Sequence, residues 1–210
     1  MKNTPQQNFW SSGFGREYTD RNPQAADELD RLYLQDYGVS RSAMNKEFLS
    51  GLSLGHILEV GCNVGSQLGL LQAQGYADLW GLELQDYAVE KAKTLTKSIN
   101  IIKGSAFDIP FKDGYFDLVF TSGVLIHINP DDINEALKEI YRVAKKYIWG
   151  FEYFDENYHE VEYRGNKNCL WKGNFAQRYL DLFPNLKRVK TKDYKYINSE
   201  NVDQMFLLEK

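Results

Sequence analysis

The residues best placed to do chemistry lie close together, in one short stretch. Residues 57–65 read Ile57-Leu58-Glu59-Val60-Gly61-Cys62-Asn63-Val64-Gly65, and residues 79–83 read Leu79-Trp80-Gly81-Leu82-Glu83. In each case an apolar run ends at a polar group. The first ends in a tight turn, where Gly61 and Gly65 let the backbone bend sharply and approach a ligand closely. The second ends in a carboxylate, Glu83, placed to accept both hydroxyls of a ribose. This is the first half of a nucleotide-binding α/β unit.

The loop chemistry narrows the nucleotide. A dinucleotide site uses G-x-G-x-x-G, so that a pyrophosphate can sit on a helix N-terminus. Here Asn63 stands where the middle glycine would fall, and Glu59 precedes the turn. A carboxylate there repels phosphate and suits a ligand carrying an ammonium or sulfonium charge. S-adenosylmethionine carries both.

These residues need a sheet to hold them. From residue 56 onward the pattern alternates as βαβ. Strands are expected at 56–60, 79–83, 99–103, 116–121, 147–153, 186–190 and 205–209. Helices are expected at 65–74, 86–97, from Pro130 through Ile133, Leu137, Ile140 and Ala144, and at 170–182. Successive βαβ units force a parallel sheet with right-handed crossovers. The final strands lack a helix between them, so the last one is expected to be antiparallel. The fold class is therefore α/β, a Rossmann-like seven-stranded sheet with helices on both faces. Residues 1–50 precede it. Phe9, Trp10, Phe14 and Tyr18 form an aromatic stripe there, Asp20 to Pro23 reads as a helix start, and helices are expected at 25–37 and 42–49. We expect residues 1–50 to be a helical lid on a single domain at 51–210.

Composition limits the partners. The net charge of −4 argues against nucleic acid or an anionic membrane as the main partner. The two cysteines, Cys62 and Cys169, have neither disulfide-framework nor metal-ligand spacing, which fits a reducing cytoplasm and no bound metal. The polar start of the chain shows no signal peptide.

In combination and order, Leu58 to Gly65, Glu83, Gly104-Ser105-Ala106-Phe107-Asp108-Ile109-Pro110-Phe111, Phe116-Asp117-Leu118-Val119 and Gly123 to Ile128 resemble a class I S-adenosylmethionine-dependent methyltransferase. A narrower resemblance runs through Phe9-Trp10, Phe14-Gly15, Tyr18, Arg21-Asn22, Val124 to Pro130, Glu152-Tyr153, Tyr163-Arg164-Gly165, Leu170-Trp171-Lys172 and Phe206 to Lys210. It is similar to the methylases associated with pseudaminic acid biosynthesis, a pathway for bacterial surface sugars.

The resemblance implies roles for individual residues. Glu59, Gly61, Cys62, Asn63 and Gly65 would face the methionine part of the cofactor, Glu83 the ribose, and Ala106 and Phe107 the adenine. Thr121, Ser122 and Gly123 would pass under the sulfonium, with Tyr18 and Arg21 covering the cofactor from the front segment. Many relatives carry aspartate where Ser105 stands, so the adenine amino group is left to Ser105 or to Asp108.

On the acceptor side, a sugar hydroxyl is a poor nucleophile and benefits from a base. The candidates are His127, Glu152 and Tyr153. Arg164 and Lys172 could grip a carboxylate or phosphate on the acceptor, and Trp10, Phe14, Tyr163 and Trp171 could line its pocket. The expected function is methyl transfer to a small anionic acceptor, an acidic or nucleotide-linked sugar of a surface glycan. A phosphoryl-type acceptor and a non-catalytic cofactor-binding module are the alternatives.

Overall fold

The structure is a computed structural model and describes residues 3–22 and 25–210. Seven strands form one sheet in the order β3-β2-β1-β4-β5-β9-β8. They are β1 (His56–Val60), β2 (Asp78–Glu83), β3 (Asn100–Lys103), β4 (Phe116–Ser122), β5 (Ala144–Tyr153), β8 (Lys187–Lys195) and β9 (Val202–Glu209). The first five run parallel, while β9 lies between β5 and β8 and is antiparallel to both. The chain reverses at β1, between β2 and β4, and a ligand crevice opens at such a switch point.

Both faces of the sheet are covered. Strand residues alternate between faces, so Leu58 and Val60 enter one core and Ile57 the other. The first core is closed by α7 (Ile133–Val143) and α8 (Phe175–Leu182). The second is closed by α3 (Ala26–Tyr37), α4 (Arg41–Leu49), α5 (Ser66–Ala73) and α6 (Asp86–Leu95). No helix among the described residues is long and apolar enough to cross a membrane.

The first fifty residues split into two parts. Leu29, Tyr33, Met44, Phe48 and Leu49 are buried against the sheet, so α3 and α4 contribute to the core. Helices α1 (Pro5–Trp10) and α2 (Gly13–Arg21) lie over the strand ends, alongside Tyr33 and Tyr37 of α3. The expected helix start at Asp20 is instead the end of α2, which Ser12 caps at its start and which runs on to Arg21. Pro23 lies outside the described residues. The break at Ser11 and Ser12 leaves the aromatic stripe intact: Trp10 meets Phe14 at 5.5 Å and Tyr18 at 5.1 Å.

Trp171 and Lys172 were expected within a helix. They form β7 (Trp171–Lys172), which pairs with β6 (His159–Glu160), and the helix waits for its cap at Asn174. This ribbon sits above β5.

Candidate functional site

The loop after β1 is built from left-handed residues. Gly61, Asn63 and Gly65 take φ of +75°, +47° and +81°. Asparagine is among the few side chains that tolerate this region, which is why Asn63 can replace a glycine. A Cβ on Gly61 would meet Val124 Cγ2 at 2.6 Å, so the loops after β1 and β4 touch backbone to side chain. Gly65 then opens α5. The Glu83 carboxylate ties this loop to the end of β2, accepting from Asn63 N and Gln85 N, both at 2.9 Å. Burial pushes its pKa up, and these backbone donors pull it partly back.

A cavity of about 410 Å³ opens over these loops. Glu59 to Val64, Glu83, Ser105 to Phe107, Ser122 to Val124 and His127 line it from the sheet, and Trp10 and Tyr18 line it from the covering helices. Glu59 is 2% exposed, its Oε2 has no hydrogen-bond partner, and burial drives its pKa well up. Asn63 Oδ1 and Gln67 Oε1 are also buried without partners at the wall. Such orphaned acceptors are costly unless a ligand satisfies them.

Behind this wall lies Arg41, fully buried and not anticipated from the sequence. Its guanidinium donates to Asn45 Oδ1 at 2.8 Å, Tyr33 OH at 2.9 Å and Ser122 Oγ at 3.1 Å. It also stacks on Phe151, 4.6 Å from the ring centre. The positive charge bears on Glu59 and fixes Ser122 on the cavity wall.

The covering helices are stitched down by amides. Gln7 Nε2 donates to Ser105 Oγ at 2.8 Å, and Gln85 Nε2 donates to the Trp10 carbonyl at 2.9 Å. Gly15 makes that approach possible, since a Cβ there would lie 1.8 Å from the Trp10 oxygen. Ser105 is buried and also accepts from Phe107 N at 3.1 Å. Asp108, the other residue considered for adenine, is exposed and lies outside the cavity.

The three candidate bases separate. His127 lines the cavity, and its Nδ1 lies 2.8 Å from the Cys169 carbonyl. A carbonyl only accepts, so Nδ1 carries the proton and Nε2 keeps a lone pair. Burial lowers the ring's pKa to about 4, which keeps it neutral. Glu152 is absent from the cavity wall. It accepts from Val124 N at 2.9 Å and from Thr121, holding the loop that carries His127. Thr121 is thus Glu152's partner and does not face the cavity. Tyr153 lines the cavity near its far end.

The expected acceptor residues also divide. Tyr163 lines the cavity, packed 5.7 Å from His127, and Phe14 packs behind it at 5.9 Å. Arg164 is exposed and borders a neighbouring recess of about 380 Å³ together with Arg21. Lys172 donates to Asn201 Oδ1 at 2.6 Å and is off the cavity wall. Trp171 is buried. The far end of the cavity is built by residues the sequence reading did not single out: Tyr33, Tyr37, Tyr196 and Asp203. One signal was present, because Asp203 shares the β9 face of Met205 and Leu207, an acid in line with core positions.

Residues 58–147 match the family model of a methyltransferase domain. The fold is that of the S-adenosylmethionine-dependent methyltransferases. A Leishmania major protein described as such an enzyme superposes with a TM-score of 0.72 at 16% identity, covering 98% of this chain and 87% of that one. An uncharacterized methyltransferase of Synechocystis sp. is 33% identical over 89 residues, 42% of each chain. A sterol 24-C-methyltransferase of Pneumocystis carinii is 30% identical over 95 residues, 42% of this chain and 25% of that one. The chain thus spans less than half the length of these curated relatives.

Proposed function

We propose that this protein is an S-adenosylmethionine-dependent methyltransferase acting in the cytoplasm on a small-molecule acceptor. The observation that carries this reading is the pairing of Glu83 with an orphaned Glu59 across one glycine-turned loop. The wall offers a carboxylate for ribose hydroxyls and an unsatisfied carboxylate for an ammonium group, with the Arg41 charge kept behind it. When bound, the cofactor supplies an electrophilic methyl group on a sulfonium.

The chain's own residues do the rest. Gln7, Gln85 and Gly15 hold the covering helices over the cavity and exclude water. Ser122 and Gly123 form the floor, and His127 presents Nε2 to the acceptor side, where it can take the proton of a hydroxyl as its oxygen attacks. Positioning of this kind supplies several kcal/mol of a displacement barrier. Arg21 and Arg164 at the adjoining recess supply the charge an anionic part of the acceptor would need. The resemblance to the surface-glycan methylases supports an acidic or nucleotide-linked sugar as that acceptor, methylated on oxygen.

The test is turnover of methyl-labelled cofactor over a panel of acidic and nucleotide-linked sugars. Label should appear in an acceptor with wild type and fall steeply with His127→Ala. Binding of S-adenosylhomocysteine with no transfer to any acceptor would instead favour a non-catalytic cofactor-binding module.

A further inference from the structure

The carboxyl groups on the wall of the main cavity are Glu59, Glu83 and Asp203, and among the described residues no lysine or arginine lines it. Glu59 and Glu83 belong to the cofactor end. Asp203 stands at the other end, 5% exposed, near the start of β9 and directly across from Tyr153. Tyr37 donates its hydroxyl to Asp203, and Tyr196 also hydrogen-bonds to it. Tyr196 in turn lies 3.3 Å from the Tyr153 hydroxyl and 4.6 Å, ring to ring, from Tyr37. The result is a carboxylate at the base of a three-tyrosine box that opens into the cavity.

Such a box has one natural guest. Aromatic faces attract cations through their quadrupole, and a carboxylate with free lone pairs completes the site. An anion placed there would face Asp203 with no lysine or arginine among the described residues of the cavity wall to offset it. Lys172 and Arg41 bear on Asp203 through space, yet neither reaches the cavity and neither forms an ion pair with it among the described residues. Lys172 already lies over the Tyr153 ring, 5.4 Å from its centre, so the rings here accept cations.

We propose that the Asp203 end of the cavity is an acceptor subsite that takes a protonated amino group beside the atom to be methylated. The proposal rests on the methyl-transfer reading for the identity of the guest as an acceptor. It deepens that reading by making the acceptor an amine-bearing molecule, with its amine held inside and any anionic group left toward Arg21 and Arg164.

The test uses the full chain saturated with S-adenosylhomocysteine and three pyranose probes: glucosamine kept in its ammonium form, N-acetylglucosamine and glucose. The ammonium probe should bind about ten-fold tighter than either neutral one, the scale of a hydrogen bond to a charged partner. Asp203→Asn should abolish that preference, and Asp203→Glu should retain most of it, with cofactor-product affinity unchanged in both. Equal binding of the three probes by wild type, or no binding of any, would overturn the proposal without recourse to a variant. A preference that survives Asp203→Asn would overturn it as well. The preliminary saturation step separates the two readings. Failure to bind S-adenosylhomocysteine, with the ammonium preference intact, would sink methyl transfer and leave the cationic subsite standing.

Discussion

Glu152→Gln should change the pH dependence of stability in a sense fixed by the structure. Glu152 is 2% exposed and sits under the loop of Val124 to His127. Burial raises its pKa from 4.5 to about 7, against the pull of the Thr121 hydroxyl and the backbone N–H groups of Val124, Leu125 and Ile126. A carboxyl whose folded pKa is raised favours folding most when it is protonated in both states. Stability is therefore fullest below 4.5 and is lost as pH rises toward about 7, while the unfolded chain ionises and the folded one resists. At about 1.4 kcal/mol per pKa unit the loss has an upper limit of about 3 kcal/mol. For a chain of this size that corresponds to roughly 6–12 °C in Tm. Glutamine is nearly isosteric and cannot ionise. It should cost about 1–3 kcal/mol at acidic pH, where its amide puts a donor among donors, and the deficit should shrink as pH approaches neutrality. His127 acts in the opposite sense: its pKa is lowered from 6.5 to about 4, so its contribution is lost as pH falls. Asp203, raised to about 6, acts in the same sense as Glu152. Both cancel in the difference between variant and wild type. Urea denaturation of the two proteins in a series of buffers from mildly acidic to neutral measures that difference. A gap that stays constant or widens with rising pH would refute the argument.

Three further outcomes follow from the cavity wall. Glu83→Ala should weaken S-adenosylhomocysteine binding by about 1–3 kcal/mol, and the 2′-deoxy ligand should lose little more in the variant than it does already; full additivity of the two changes would remove Glu83 from the ribose. Gly15→Ala should unseat the covering helices, because its methyl group collides with the Trp10 carbonyl and the Gln85 amide, and calorimetry together with limited proteolysis should show weaker ligand affinity and faster cleavage within residues 3–22. His127→Ala should lower kcat on a hydroxyl acceptor by about 10²–10⁴-fold while leaving cofactor affinity nearly unchanged; a full-rate variant would leave the ring only the structural task of docking the Cys169 carbonyl.

The strands and the cofactor loop were legible in the sequence because each is governed by local rules. Alternating and continuous apolar runs gave the seven strands to within a few residues, and the loop of Gly61 to Gly65 needs left-handed backbone that few residue types provide. What was not legible depends on contacts far apart in the chain. Gln7 and Ser105 are 98 residues apart, and Tyr37 and Asp203 are 166 apart. Arg41 reads as an ordinary surface cation until Ser122, Tyr33 and the aromatic rings of β5 surround it. Glu152 looked like a base because it ends a strand at the ligand side. Side-chain alternation instead turns it to the face opposite Phe151, where the backbone of residues 124–126 uses it. Lys172 and Trp171 were misplaced for a related reason: a two-residue strand carries no periodicity, so only the pairing with His159 and Glu160 defines it.

The central claim is the class of cofactor, and one calorimetric experiment addresses it. S-adenosylhomocysteine and oxidised nicotinamide dinucleotide are titrated separately into the wild-type protein. The account predicts one-to-one binding of S-adenosylhomocysteine and no heat from the dinucleotide, because Glu59 stands bare at the cavity wall and Asn63 occupies the position where a pyrophosphate loop has glycine. Binding of the dinucleotide with no response to S-adenosylhomocysteine would contradict it.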